Sequence, residues 1–494
     1  VQYGFAIDQR TCIGCHACTV ACKTEHDIPV GQFRTWVKYV EKGEFPTTSR
    51  EFGVMRCNHC TDAPCVNICP THALFKRDDG IVDFDGENCI GCKSCMQACP
   101  YDAIYIDAET NTAAKCNFCA HRVDQDLEPA CVVVCPTHSI WVGDLDDPGS
   151  GISRLVNTNP TAVRAPERDT GPNVFYLGAD RAVLDPLAAP VDGTYIWAQP
   201  DQQRLDMARD GYGDTETKAR TTLNTAHPRP WGWRVTTYLW TKAVGAGALL
   251  FAALGLIFGL DLGPIGRFVA PVLGIAGAAS TGALLVWDLK RPERFLYLFL
   301  RPNRTSWLVW GGVALSACAG GSGLWLLFGD FSVLRWPAIP VTAMTAGYTA
   351  FLFGQAKGRQ LWQSPMLFWH LIVQAAMVGS GALLVAAPFT DLDTAATHFL
   401  TVGFAVSAGC HLLFLAFEYG GGHSGRGTAI AAHLVSRGRY AKTFWLGGVL
   451  PVVVAIPLVF LGPAAGVLCG LVVQAGLLAY ESVFVRAGQD VPLS

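Results

Sequence analysis

The sequence predicts an α+β domain organised around cysteine, joined in one chain to an all-α bundle of eight transmembrane helices. Three observations carry that prediction. Of 19 cysteines in 494 residues, sixteen fall between Cys12 and Cys135, leaving only Cys318, Cys410 and Cys469 outside. Hydrophobic residues make up 51% and charged ones 16%, with a mean hydropathy of +0.28, which is too apolar for an ordinary soluble chain. From Tyr238 onward, eight apolar stretches of roughly 20 residues follow one another, each long enough to cross a bilayer as a helix. A net charge of −3, from 37 basic and 40 acidic residues, gives no polycationic surface, so nucleic acid is not an expected partner.

The chain divides by composition into residues 1–150, the cysteine domain; 151–237, a cysteine-free tail and linker rich in Pro, Asp, Thr and Arg; and 238–487, the membrane domain. The spans are expected near 238–260, 266–287, 306–329, 336–356, 366–387, 395–417, 443–461 and 463–485. Gly and Ala recur within them, as in Gly274-Ile275-Ala276-Gly277, which suits close helix packing in lipid. Loops on the side shared with the cysteine domain carry Lys290, Arg291, Arg294, Arg301, Arg304, Lys357, Arg359, Arg426, Arg437, Arg439, Lys442 and Arg486, against Arg267 and Arg335 on the other. That bias places the cysteine domain on the cytoplasmic side of the inner membrane. With neither a charged-then-apolar leader nor a twin-arginine pair in view, export is not expected from the chain itself. In a reducing compartment cysteines are metal ligands rather than disulfides.

Their spacing says which metal. Cys12-x2-Cys15-x2-Cys18-x3-Cys22 and Cys89-x2-Cys92-x2-Cys95-x3-Cys99-Pro100 are both the bacterial ferredoxin run. Cys57-x2-Cys60-x4-Cys65-x3-Cys69-Pro70 lies between them, and Cys116-x2-Cys119-x11-Cys131-x3-Cys135-Pro136 follows. Three closely spaced cysteines on a tight loop cup one face of a cubane, while the fourth points to the neighbouring cluster. Pairing first with fourth and second with third gives the sets Cys12/Cys15/Cys18/Cys135, Cys22/Cys116/Cys119/Cys131, Cys57/Cys60/Cys65/Cys99 and Cys69/Cys89/Cys92/Cys95. Zinc ribbons also use Cys-x2-Cys pairs, but zinc does not explain four consecutive quartets of which three end in Cys-Pro. The expected cofactors are four [4Fe-4S] clusters in a ferredoxin-like domain, with His16, His59 and His121 solvated or donating to the ligands.

This part of the chain, about residues 1–180, resembles the four-cluster electron-transfer subunits of the dimethyl sulfoxide reductase superfamily. The resemblance rests on Cys-Asn-His-Cys-x4-Cys-x3-Cys-Pro at 57–70, Cys-Ile-Gly-Cys-Lys-Ser-Cys-Met-Gln-Ala-Cys-Pro at 89–100 and the long fourth motif. It implies the same cysteine pairing. Lys23 stands where a Pro often follows the fourth cysteine, which leaves ligation intact.

An iron–sulfur chain tethered to lipid needs an acceptor there, either haem or quinone. Haem b would need paired axial histidines, and only His370, His398 and His411 lie in or at spans; a lone intramembrane His is more often a proton-handling group, so haem is not expected. Polar residues instead collect at the depth nearest the cysteine domain: Lys242 one turn into the first span, Asp288 ending the second, Trp307 and Trp310 opening the third, and Tyr348 in the fourth. Such groups can hold a quinone (menaquinone or ubiquinone) by its carbonyls and supply its protons. The plainer account has Lys242 snorkelling, Trp307 anchoring at the interface and Asp288 paired with Arg291. His370, His398, His411, Glu418 and Glu481 are further ionisable groups in or at the ends of later spans, and His411 with Glu418 are candidates for a proton relay.

Asp288-Leu289-Lys290-Arg291-Pro292-Glu293-Arg294-Phe295, Ser306-Trp307, Tyr348 with Gly354, and Glu418 resemble the polysulfide reductase membrane-subunit (NrfD-like) family over about 238–485. The resemblance implies eight helices in two four-helix bundles, no haem, and a quinol site in the first bundle near the iron–sulfur part, with Tyr348 contacting quinone and Lys242 replacing the family's first-helix histidine. The chain then reads as a fusion of two normally separate subunits, lacking a pterin domain. Its expected work is to pass electrons between a large molybdenum or tungsten pterin subunit and membrane quinone. The alternative is a redox or proton-translocating module serving a hydrogenase or respiratory supercomplex.

Overall fold

A computed structural model describes residues 1–190, 219–329, 333–423 and 425–494. The N-terminal half holds strands β1 (Tyr3–Asp8), β2 (Thr35–Glu44), β3 (Thr47–Arg56), β4 (Leu74–Lys76), β5 (Val82–Phe84), β6 (Ile104–Ile106), β7 (Ala113–Lys115), β8 (Ile140–Asp144), β9 (Thr161–Ala162), β10 (Val174–Leu177) and β11 (Arg220–Leu223). β1 alternates little because both of its faces are covered: Phe5, Ala6 and Ile7 are all fully buried. It lies between β8, antiparallel, and β10, parallel, in the sheet order β8-β1-β10-β9. β4–β5 and β6–β7 are small hairpins that flank the cysteine loops.

Of residues 151–237, expected as a tail and linker, the described stretches 151–190 and 219–223 are part of this domain. β10 is a central strand whose Val174 and Tyr176 are completely buried, and the Tyr176 hydroxyl donates to Val54 O at 3.0 Å. β11 extends the β2–β3 hairpin, with Thr221 opposite Val40. The stretch looked like a linker because it is polar on average, whereas a four-residue strand needs only two inward side chains. Its portion from 191 to 218 lies outside the described residues.

The C-terminal half is helical: α1 (Trp233–Ile257), α2 (Ile265–Asp288), α3 (Trp307–Phe328), α4 (Arg335–Gln355), α5 (Leu367–Ala386), α6 (Thr394–Gly420), α7 (Thr443–Leu461) and α8 (Pro463–Asp490). Among the described residues seven helices are long and apolar enough to cross a membrane, and α4 is not among them. α4 is 21 residues long but carries Arg335, Pro340, Thr342, Thr345 and Thr349. α1 packs on α2, α4 and α5, and α5 in turn on α6 and α8. The crossing of α1 and α5 is backbone to backbone: a Cβ at Gly379 would lie 2.1 Å from Gly247 C, so only glycine permits the approach.

The two halves are joined by hydrogen bonds at the end of the short helix Pro64–Ile68, whose last carbonyls have no partner within it. Asn303 Nδ2 donates to Cys69 O at 2.8 Å, Ser306 Oγ to Ile68 O at 2.7 Å, and Asn303 N to Pro70 O at 2.8 Å. The loop after α2 grips the Cys89–Cys92 turn: Arg294 Nη1 donates to Gly86 O and Cys89 O, and Arg291 N to Ile90 O. Gly91 has φ +69, and a Cβ there would meet Lys290 Cβ at 2.5 Å, so the seal needs glycine twice over. Several arginines in the basic loops, Arg291, Arg294, Arg359 and Arg426 among them, therefore hold the iron–sulfur half as well as biasing the charge.

Candidate redox and quinone site

The sixteen cysteines gather into four neighbourhoods. Cys12 feels Cys135 and Cys15; Cys22 feels Cys116, Cys131 and Cys119; Cys65 feels Cys57, Cys99 and Cys60; Cys95 feels Cys92, Cys89 and Cys69. Cys18 sees both Cys12 and Cys131, Cys116 sees Cys57, and Cys95 sees Cys65, so the four neighbourhoods follow one another in a row. Left-handed residues shape the loops: His16 at φ 62 and Lys93 at φ 66 each start a short helix directly after a cysteine turn.

These thiols suit an anionic, iron-bound state. Burial pushes Cys18 up to about 11 and Cys60 and Cys99 up to about 12, so the thiolates that iron requires need positive charge beside them. Main-chain N–H groups already point at sulfur, from Ala113 and Gly91 to Cys89 at 3.3 and 3.4 Å and from Ser139 to Cys135 at 3.3 Å. Burial alone would raise Cys135, but the N–H groups of Ser139 and Thr137 hold it below its usual value. Arg56, wholly buried, donates to Cys131 Sγ at 3.4 Å; burial disfavours its charge, yet the thiolates of Cys131, Cys116 and Cys18 hold its pKa up. Among the described residues no three or more His, Cys, Asp or Glu side chains converge on a point where a single metal ion could sit. Sixteen cysteines grouped in this way suit iron–sulfur clusters better than a single metal ion.

His59 Nδ1 accepts from Val82 N at 3.1 Å, His16 Nε2 sits 3.1 Å from the Tyr39 hydroxyl, and His121 pairs with Glu25. None of the three replaces a cysteine.

Below the Cys69/Cys89/Cys92/Cys95 neighbourhood lies an apolar cavity of about 90 Å³, walled by Cys92, Trp231, Tyr238, Leu285, Asp288 and Leu298. Asp288 also lines a second, polar cavity of about 1040 Å³ with Lys93, Arg234, Arg229 and Arg359. Asp288 thus lines both cavities. It is held by Lys93 Nζ at 2.6 Å and by Arg234 Nη1 at 3.6 Å, not by Arg291, which bonds Thr110 O and Glu293.

Of the three quinone-site residues read from sequence, only Asp288 walls the apolar cavity. Lys242 is buried, donating from Nζ to Ala346 O at 2.5 Å and lying 4.8 Å from the centre of the Tyr348 ring, so it does not snorkel. Tyr348 packs against Gly311, where a Cβ would come within 2.2 Å of its ring. Tyr238, which does line the cavity, stands within electrostatic reach of Asp288, Tyr348 and Glu481. Trp307 stacks on Phe351 at 4.3 Å and Trp310 is exposed, donating to Arg304 O. Depth along a helix follows from sequence; the face a residue presents depends on neighbours far away in the chain.

Sequence reasoning missed Lys93, Tyr238 and Trp231. Trp231 Nε1 donates to Cys92 O at 3.4 Å while its ring stacks on Trp362, and Gln489 at the end of α8 clasps its main chain at 3.0 and 2.8 Å. The only signal was its place after Pro228-Arg229-Pro230 at the membrane entrance. His370 Nε2 and His411 Nδ1 lie 2.9 Å apart, and His398 is exposed.

Residues 221–487 match the family described as polysulphide reductase, NrfD, and residues 49–145 match the 4Fe-4S dicluster domain. The chain belongs to the polysulphide reductase NrfD family. It is an integral membrane protein that fuses an iron–sulfur part to an NrfD-like part. A tetrathionate reductase subunit of Salmonella typhimurium is 45% identical over 190 residues, 38% of this chain and 76% of that protein. A polysulfide reductase component of Wolinella succinogenes is 38% identical over 187 residues, 37% of this chain and 98% of its own length. The arsenate respiratory reductase iron–sulfur subunit ArrB of a Shewanella species is 34% identical over 225 residues, 36% and 96% respectively.

Proposed function

We propose that this NrfD-family protein is the electron-transfer and quinone-reactive membrane subunit of a respiratory complex, holding four [4Fe-4S] clusters through the four cysteine sets named above. When bound, such clusters supply one-electron transfer. The observation that carries the reading is the apolar cavity walled jointly by Cys92 and Asp288. Quinone enters it as substrate, bonding the Tyr238 hydroxyl through a carbonyl. Asp288 passes protons between the polar cavity and the quinone, because it lines both. Lys93 and Arg234 hold that carboxylate in place.

α4 is read as an eighth span, supported by its 21-residue length and its packing on α1, α3 and α5. α1–α4 and α5–α8 are read as two four-helix bundles meeting at Gly247 and Gly379. The basic loops support a cytoplasmic iron–sulfur side, which impermeant thiol labels applied to whole cells would test. Relatives named as parts of tetrathionate, polysulfide and arsenate reductases support a large molybdenum or tungsten pterin partner. Exposed Cys15 with Ile13, Val20 and Val133 around the outermost cysteine set offers that partner an apolar landing face. The test is quinol oxidation by the full-length protein: Asp288→Asn should abolish it while dithionite still reduces the clusters, and unchanged oxidation would refute the assignment.

A further inference from the structure

α5, α6 and α8 carry a second set of ionisable groups, Glu418, His370 and His411, none of which lines the quinone cavity. Glu418 Oε1 lies 2.9 Å from His370 Nδ1, His370 Nε2 lies 2.9 Å from His411 Nδ1, and Gln374 Nε2 lies 3.2 Å from His370 Nε2. Both histidines are completely buried. The donor order follows from what each group can do. The Gln374 Nε2 amide can only donate, so His370 carries its ring hydrogen on Nδ1 and donates it to Glu418 Oε1. The Gln374 amide donates to His370 Nε2, which is therefore an acceptor and also takes the Nδ1 proton of His411. His411 Nε2 is left as a bare, buried acceptor with no hydrogen-bond partner.

The remaining titratable groups packed against this chain are Tyr480, whose hydroxyl donates to Glu418 Oε2 at 3.3 Å, and Tyr419, 3.4 Å from Tyr480. Phe414 stacks on the His370 ring at 5.0 Å and walls its flank. The Glu418 end is open. A cavity of about 790 Å³ reaches it, bordered by Tyr419, Phe414, Lys357, Arg168 and His423. Arg168 belongs to the iron–sulfur domain and donates to Lys357 O at 3.0 Å, so the mouth is on the iron–sulfur side. At the interior end Glu481 follows Tyr480 along α8, both its carboxylate oxygens buried without a partner, in electrostatic reach of Lys242.

We propose that Glu418, His370 and His411 form a proton half-channel, open to the iron–sulfur side through this mouth and ending inside the membrane at His411 Nε2. The inference rests on reading these helices as spans, and the path is separate from the quinone cavity. A proton arriving at His411 Nε2 releases the Nδ1 proton to His370 Nε2, His370 releases its Nδ1 proton to Glu418, and Glu418 loses it to the cavity. One proton has moved and no electron. Both rings then carry hydrogen on Nε2, and they reset before the next outward transfer.

The test is an infrared difference spectrum of the full-length protein in liposomes as the bathing pH is switched, a measurement that needs no quinone. In the parent, bands of buried histidine and of the Glu418 carboxyl should rise together. Glu418→Gln should delete the carboxyl band and slow the histidine bands by about a hundredfold, the low end for losing a positioned proton-transfer group. Glu418→Asp, with full iron content as proof of folding, should restore a carboxyl band and faster exchange. Histidine bands that rise at the parental rate in Glu418→Gln, or no histidine band in the parent, would overturn the half-channel. Failure of the quinone reading would show separately, as absent quinol oxidation with these spectra unchanged.

Discussion

Removing either partner of the Lys93–Asp288 pair should destabilise the joint between the two halves, and unequally. At 2.6 Å the two charges attract by about 6 kcal/mol if the effective dielectric constant is about 20, and desolvation offsets much of it. The side chains are only 7% and 12% exposed, so screening by solvent is small. Asp288→Asn strands the Lys93 ammonium without a carboxylate, a change that typically costs about 3–5 kcal/mol. Lys93→Met leaves Asp288 with Arg234, which is part-exposed and 3.6 Å away, so the loss falls to about 2 kcal/mol. The urea midpoint for bleaching of the clusters in solubilised protein reads both effects. In a double-mutant cycle the pair should show strong coupling, with Lys93→Met costing little once Asp288 is gone. Equal single effects with an additive double variant would refute the reasoning.

Three further outcomes follow from the same geometry. Iron and acid-labile sulfide should each approach about 16 per chain, four of each per cubane, and stoichiometric zinc in their place would contradict the cysteine assignment. Gly379→Leu should lower the melting midpoint by the equivalent of about 3 kcal/mol, the upper end for overpacking, because its Cβ would collide with Gly247 backbone. Tyr238→Phe should slow quinol oxidation about tenfold, the worth of one hydrogen bond of roughly 1.4 kcal/mol, with Tyr348→Phe milder because Tyr348 does not line the cavity; steady-state rates with both variants decide the order.

Cysteine spacing made the iron–sulfur half legible because ligand chemistry forces short-range pattern: Cys-x2-Cys-x2-Cys cannot be met by many backbones. The spans were legible because lipid demands about 20 apolar residues in a row. What stayed hidden depends on long-range packing. Lys93 lies among the cysteines and its partner Asp288 is 195 residues away, so nothing local links them. Lys242 and Tyr348 meet each other, but neither lines the cavity. β10 was concealed in a polar stretch because the strand is four residues long and its partner, β1, begins the chain.

The central claim is that quinone meets the last cysteine set in the cavity beside Asp288. Leu285→Trp fills that cavity without replacing a cysteine or a charged residue. The measurement is electron paramagnetic resonance of the clusters after adding quinol, and separately after adding dithionite, to the parent and the variant. The account predicts that quinol reduces the clusters of the parent and not of the variant, while dithionite reduces both. Equal reduction by quinol in the two proteins would contradict it.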